Sequence, residues 1–435
     1  MSPHPRWRRL VASAALIPIL AGAASCGTGI EQAPQGAQAK RQITFWHYFT
    51  DRKDLFEQWA KEYEKQTGVA VKVVMSDGGS YAQKFQAATQ AGTLPDVMIG
   101  WSQPGEKLAP YAKQGTILNL SDEMNRDGWK DRFYPTALTN ASFGPDNEWG
   151  VQPGPYGVPL DVNNIQFLYN KDLFAKAGIT APPRTFDELL DTGTRLKDAG
   201  IVPFTSGFGA WAIGSLAQIY YWNLIGQEDL EKSFSGELPY SGPQWLGVLK
   251  LLKRLGGSGI LADGVVSFDM PAAESMFVSG KAAMLLDGSW AVNVFAQQNP
   301  GFTNYGVFPP PTAGTHPVKL PGGVTTLMVI GTSPNKDEAL KFARWVTDTP
   351  QQAKYSETSF NLPAHREVGD GQIRNAQLAE FAKGNESLAP QLRVSMPPAV
   401  ATTLTKGLQQ LLVGKETPEH LASLMDKAQK SGQAQ

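Results

Sequence analysis

Outside Cys26, this 435-residue chain has no cysteine. No disulfide and no thiolate metal site can therefore form within the rest of it. Charge is scarce and balanced: charged residues are 18% of the total and the net charge at pH 7 is −1. That excludes the basic face that a nucleic-acid partner or an anionic membrane surface requires, and it points to a ligand without strong charge. Histidine is rare. His4, His47, His316, His365 and His420 are widely separated, so no metal-ligand spacing is present. There is no glycine-rich loop ending in Gly-Lys-Ser/Thr and no Gly-x-Ser-x-Gly elbow. No pair of carboxylates stands out as an acid/base couple. No cofactor or metal is expected, and no enzymatic activity. After residue 25 no apolar run approaches the roughly 20 residues that cross a bilayer.

What is present begins at the N-terminus. Arg6, Arg8 and Arg9 precede an apolar stretch, Leu10 to Leu20, which is followed by Ala21-Gly22-Ala23-Ala24-Ser25. A charged, an apolar and a small-residue region in that order make a secretion signal, residues 1–25, too short to span a membrane and broken by Pro18. The small residues before Cys26 resemble the lipobox of bacterial lipoproteins, although Ala23 stands where such boxes usually have Leu. The resemblance implies lipidation of Cys26 and an anchor on the outer face of the cytoplasmic membrane. Ordinary secretion with cleavage after Ala23 is the alternative. Residues 26–41 are rich in Gly, Ala, Gln and Pro and read as a flexible tether.

The remainder is too long for one simple core, so two domains are expected. Strand and helix signals alternate, which argues a parallel α/β sheet covered on both faces. Strands are predicted at Ile43–Phe49, Val69–Met75 and Asp96–Trp101, and helices at Asp51–Gln66 and from Ser80 to Gln90. Trp129–Gly157 lacks any period and reads as a surface excursion. Further strands are predicted at Ile165–Tyr169, Ile201–Phe204, Ala282–Leu286, Asn304–Phe308 and Val324–Ile330. Thr185-x-x-Glu188 is a capping box. Helices are expected at Trp211–Leu224, Gln244–Leu255, Asn335–Thr347, Gly371–Lys383, Pro398–Leu412 and Pro418–Lys430. Adjacent Tyr220 and Tyr221 suit Fe(III), but neighbours on a helix diverge by ~100°, which favours packing with one edge exposed.

Several landmarks then occur in a telling order: Ile43-Thr-Phe-Trp-His47, Gly92-Thr-Leu-Pro-Asp96, Tyr156-Gly-Val-Pro159, Tyr169-Asn-Lys-Asp172, Phe277 to Trp290, Gly322-Gly323 and Ser333 to Leu340. Together they resemble the carbohydrate-binding solute-binding proteins of bacterial ABC importers, the family that includes maltose-binding protein, over nearly all of Ile43 to Lys430. The resemblance implies an α/β, two-lobed periplasmic-binding-protein-like fold of type II. It implies lobe I at 42–159 and 306–350 and lobe II at 160–305 and 351–435. The chain would cross the hinge near Val158–Asp161, Tyr305–Pro309 and Thr349–Ser356. It also implies a monomer that captures a di- or oligosaccharide by hinge closure and hands it to a membrane permease. A binding protein for a polyamine, peptide or ferric ion, and a surface-attached glycan-active enzyme, are the alternatives.

A pyranose offers an apolar C–H face to an aromatic plane and a rim of hydroxyls to planar polar groups. Trp290 follows a tight Asp-Gly-Ser turn at a strand end and matches the family's stacking tryptophan. Trp101 ends the third strand at the carboxyl edge, where α/β sheets bind ligands. Trp211 sits among Gly207, Gly209, Ala210 and Gly214, which leaves its ring room, whereas Trp46 lies inside a strand and reads equally as packing. For the polar rim, Asp51 lies in a loop the family uses, Asp161 and Asn163 share a strand face, and Gln103 follows Trp101. Gly322 and Gly323 would let backbone approach a ligand. Near 393–401 the family often supplies another aromatic; here the chain has Ser395-Met-Pro-Pro-Ala-Val and no ring.

Overall fold

The computed structural model describes residues 41–49, 52–76, 80–100, 104–105, 107–371, 373–390, 392 and 394–433. The signal (1–25), Cys26 with all of the tether but residue 41, Asp51, Trp101 and Gln103 lie outside the described residues.

In chain order the strands are β1 (Gln42–His47), β2 (Ala70–Met75), β3 (Val97–Ile99), β4 (Ser142–Phe143), β5 (Gly154–Pro155), β6 (Val158–Asn170), β7 (Val202–Thr205), β8 (Ala282–Gly288), β9 (Tyr305–Phe308), β10 (Gly322–Val329) and β11 (Leu362–Pro363). All but the small β4–β5 pair join one sheet, with the path β2-β1-β3-β10-β6-β8-β7 and with β9 and β11 also on β6. β1 runs parallel to β2 and β3, and β7 parallel to β8, each pair joined through helices, as the alternating pattern predicts. The excursion carries more structure than expected: a turn of 3₁₀ helix (Arg126–Arg132), a short helix started by Pro135 (Pro135–Asn140) and the β4–β5 hairpin. Helices Gln227–Ser235, Met270–Val278, Ala291–Gln298 and Thr349–Ser359 also form beyond the sequence reading. The expected helix Gly371–Lys383 is confined to Ala376–Ala382, where the Asn375 side chain caps Leu378 N–H.

Local rules explain the predicted elements. In the helix Lys53–Thr67, Leu55, Phe56, Trp59 and Tyr63 are buried on one face, and Gly68 ends it at φ 73°, a left-handed conformation glycine adopts without strain. Thr185 accepts a hydrogen bond from Glu188 N–H at 3.2 Å, while the Glu188 carboxylate takes Arg184 N–H at 2.7 Å. The capping box thus forms with its return bond one residue early.

β6 organises the sheet. Its N-terminal half pairs with β10 (Val158↔Leu327 to Asn164↔Gly322) and with β11. Its C-terminal half pairs with β8 (Ile165↔Gly288 to Tyr169↔Met284) and with β9. Partners change at the Asn164–Ile165 step. Pro159 has no N–H for the ladder, and the β10 register shifts there so that Leu160 is skipped. The connections differ from the expected divisions at 305/306 and 350/351. β9 lies on the C-terminal half of β6, and the following segment stays beside it through Thr312 N–H to Arg184 and Gly314 N–H to Asn223. The helix Thr349–Ser359, in turn, packs Tyr355 on Trp59, ring centroids 5.8 Å apart, next to β1 rather than β8.

Candidate ligand cleft

β7 and β8 end at the same edge of the sheet, and each delivers a tryptophan just beyond it. Trp211 starts the helix Ala212–Ile225 and is 43% exposed. Trp290 starts the helix Ala291–Gln298 and is half-buried. Their rings meet edge-to-face, centroids 5.5 Å apart. The sequence reading chose these two independently; the fold brings them together. Gly288 makes this possible, because a side chain there would occupy the space of the Trp290 ring.

The helix Ala212–Ile225 is almost wholly apolar, yet one stripe stays open: Trp211, Gly214, Ser215, Gln218 and Tyr221. That spacing follows the 3.6-residue turn, so these residues form a continuous line. Nothing lies within contact of a side chain built at Gly214, which leaves a flat floor between Trp211 and Gln218. Gln218 and Tyr221 lead into a cavity of about 930 Å³, within the size range of ligand pockets. It is also lined by Pro104, Gly105, Glu148 and Trp149, from the β1–β5 side of the molecule, and by Leu392, Val394, Ser395, Met396, Pro397 and Pro398. Tyr220, by contrast, is fully buried against Phe186. The two tyrosines diverge, one in the core and one on the cavity wall, and burial raises the pKa of both phenols.

The polar candidates fare differently. Asp161 is 2% exposed. Its Oδ2 accepts from Arg52 Nη1 at 2.7 Å and from the Tyr355 hydroxyl. Arg52 also donates to Asn361 and stacks 4.0 Å over Phe49. The strand face that would present Asp161 to a ligand is covered by β11 and the helix Thr349–Ser359, so the carboxylate sits in an internal ion pair. Asn163 is half-buried opposite Gly323, which is itself buried. Gly322 does line the cavity, but the space of a side chain there is filled by Asn163 O and Leu388. Trp46 is buried under the Lys84 ammonium, 4.0 Å from the ring centroid, which makes it packing. Glu148, Trp149, Gln218, Tyr221 and the 392–398 segment were not among the sequence candidates. The open stripe on an apolar helix was the available signal for two of them.

Behind Trp290, Asp287 is fully buried; Oδ1 accepts Gly288 N–H at 2.7 Å and Oδ2 has no hydrogen-bond partner. Burial, then the nearby Glu274 carboxylate, raises the Asp287 pKa well above the usual range, and burial raises that of Glu274. Among the described residues no group of three or more His, Cys, Asp or Glu is placed to hold a metal ion, and no helix is long and apolar enough to cross a membrane.

Known proteins share this construction. A chitin oligosaccharide binding protein of known structure superposes with a TM-score of 0.72 at 26% identity, covering 91% of this chain and 99% of its own. A binding protein of Brucella abortus (strain 2308) is 27% identical over 400 residues, 90% of this chain and 92% of the relative. A maltooligosaccharide ABC transporter solute-binding lipoprotein of Streptococcus pneumoniae serotype 4 is 25% identical over 381 residues, 82% and 80% of the two chains. The fold is the type II periplasmic-binding-protein fold that the sequence landmarks implied. Residues 48–353 match a family described as bacterial extracellular solute-binding protein, and the chain belongs to that family.

Proposed function

We propose that this protein is the sugar-capturing component of an ABC importer, taking a di- or oligosaccharide. One observation carries the reading: two tryptophans from adjacent strand ends, one widely exposed, open onto a helix stripe that runs into a large cleft. An exposed indole beside a small-residue floor suits the C–H face of a pyranose, and nothing in the net charge favours a cation or ferric ion. The relatives named for chitin oligosaccharides and maltooligosaccharides support the same class. In this reading the molecule binds without chemistry and works as a monomer tethered outside the cytoplasmic membrane through a lipid on Cys26.

The two lobes are 41–163 with 322–371, and 165–320 with 376–433, hinged where β6 changes partners. A ligand touching both lobes binds the closed form better, and that differential affinity closes the hinge. The closed form is what the permease receives. Thermal unfolding of residues 41–435 with a panel of sugars, polyamines and Fe(III) tests this. A ligand at 100 times its Kd stabilises by about 2.7 kcal/mol. A shift with a glycan that is recovered unchanged, and that is lost in Trp290→Ala, is expected. A response to a cation or Fe(III) alone would remove the carbohydrate assignment, and a cleaved glycan would remove the claim of binding without chemistry.

A further inference from the structure

The inner end of the cleft differs in chemistry from its mouth. Around Trp211 and Trp290 the floor is small and open. At the inner end Leu392, Val394, Met396 and Pro397 line one wall. Gln218 and Tyr221 line the same cavity, and their side-chain polar atoms make no hydrogen bond with other described residues. Gln429, on the helix Pro418–Gln433, lies on the same cavity and is 6% exposed. Its Nε2 donates to Phe234 O at 3.0 Å, which fixes which way the amide points. Its Oε1 is buried and has no partner. An orphaned acceptor of this kind is rare in folded proteins and asks for a donor.

A ring bearing only hydroxyls fits this end poorly. Each hydroxyl laid on the Leu392–Pro397 wall would lose its water without a partner, weakening binding roughly tenfold or more. An acetamido group meets the three demands together. Its N–H supplies the donor that Gln429 Oε1 lacks, its carbonyl oxygen takes the Tyr221 hydroxyl or the Gln218 amide, and its methyl lies on Met396 and Val394. Resting on the carbohydrate reading above, we propose that the inner end of the cleft selects an N-acetylated amino sugar, with Gln429, Gln218 and Met396 as its specificity residues.

Calorimetric titration of the whole secreted chain with matched pairs tests this. N-acetylglucosamine is compared with glucose, which carries no linkage, and triacetylchitotriose with cellotriose, which shares its linkage and rings. The acetylated member of at least one pair is expected to bind at least tenfold more tightly. Met396→Ser, a half-buried position, is expected to narrow that ratio several-fold. Gln429→Leu is expected to narrow it further. Equal or tighter binding of the hydroxyl sugar, or binding of an unacetylated sugar outside these pairs alone, overturns the acetamido assignment and leaves sugar capture standing. A preference untouched by Met396→Ser overturns its location. Silence of every sugar removes both readings.

Discussion

The two halves of β6 are held by opposite means. In the N-terminal half the fixing group is a buried charge pair, Asp161 with Arg52, completed by Tyr355 and Asn361. At the step into the C-terminal half it is a neutral amide network. Asn164 donates to Phe381 O and to Asn385 Oδ1, both at 2.9 Å, and accepts from Gln166 at 2.8 Å. The first arrangement places a buried guanidinium against a buried carboxylate, so loss of either leaves the other short of its counter-charge. The second spreads it over neutral bonds that can be lost singly. A strand built this way has one stiff anchor and one adaptable one.

The largest effect should come from breaking the charged anchor. Asp161→Ala is expected to cost about 3–5 kcal/mol in urea unfolding, because the buried Arg52 guanidinium loses this carboxylate. Replacing both, Arg52→Met with Asp161→Leu, should restore much of that; no recovery would mean that packing, not charge, is the anchor. Next, Trp290→Ala should weaken sugar binding by about 2 kcal/mol, some thirtyfold, with little change in stability. Asn164→Ala should cost about 1–3 kcal/mol, since Gln166 and Asn385 lose a partner. That cost should not change between pH 5 and 8. A pH-dependent loss would erase the contrast between the halves.

The smallest effect concerns Asp287, which pairs with Gln166 of β6. Its pKa is raised in the folded state. As pH rises from about 4, the unfolded carboxyl ionises while the folded one stays protonated. Stability from this group is therefore complete at low pH and is lost as pH rises. The slope is at most about 1.4 kcal/mol per pH unit for one proton. Asp287→Asn keeps the bond to Gly288 N–H and should flatten this part of the pH profile. A steeper profile would show that the pair is ionised in the fold.

Much of the fold was legible because each signal was local. Helix faces, the left-handed Gly68 and the Thr185 cap depend on a few neighbouring residues. The two tryptophans were legible as open side chains for the same reason: Trp211 and Trp290 sit in small-residue contexts at strand ends. The polar half was not. Whether Asp161 meets a ligand or an arginine depends on Arg52 and Tyr355, far away in sequence, and no local pattern announces a buried ion pair. Which half of β6 the segments near 305/306 and 350/351 join was hidden for a similar reason. Strand β9 reads the same whichever half of β6 it joins, and the helix Thr349–Ser359 shows its allegiance only through Tyr355 packed on Trp59.

One strand without interruption serves both sides of the sheet, and this bears on how such a molecule can change over generations. Exchange of halves between relatives at the Asn164–Ile165 step would leave the N-terminal half of β6 from one parent laddered to β10 and β11 from the other. The two sides are therefore not interchangeable cassettes. Substitution on the cleft walls changes what the site meets without touching the strand that joins the two sides.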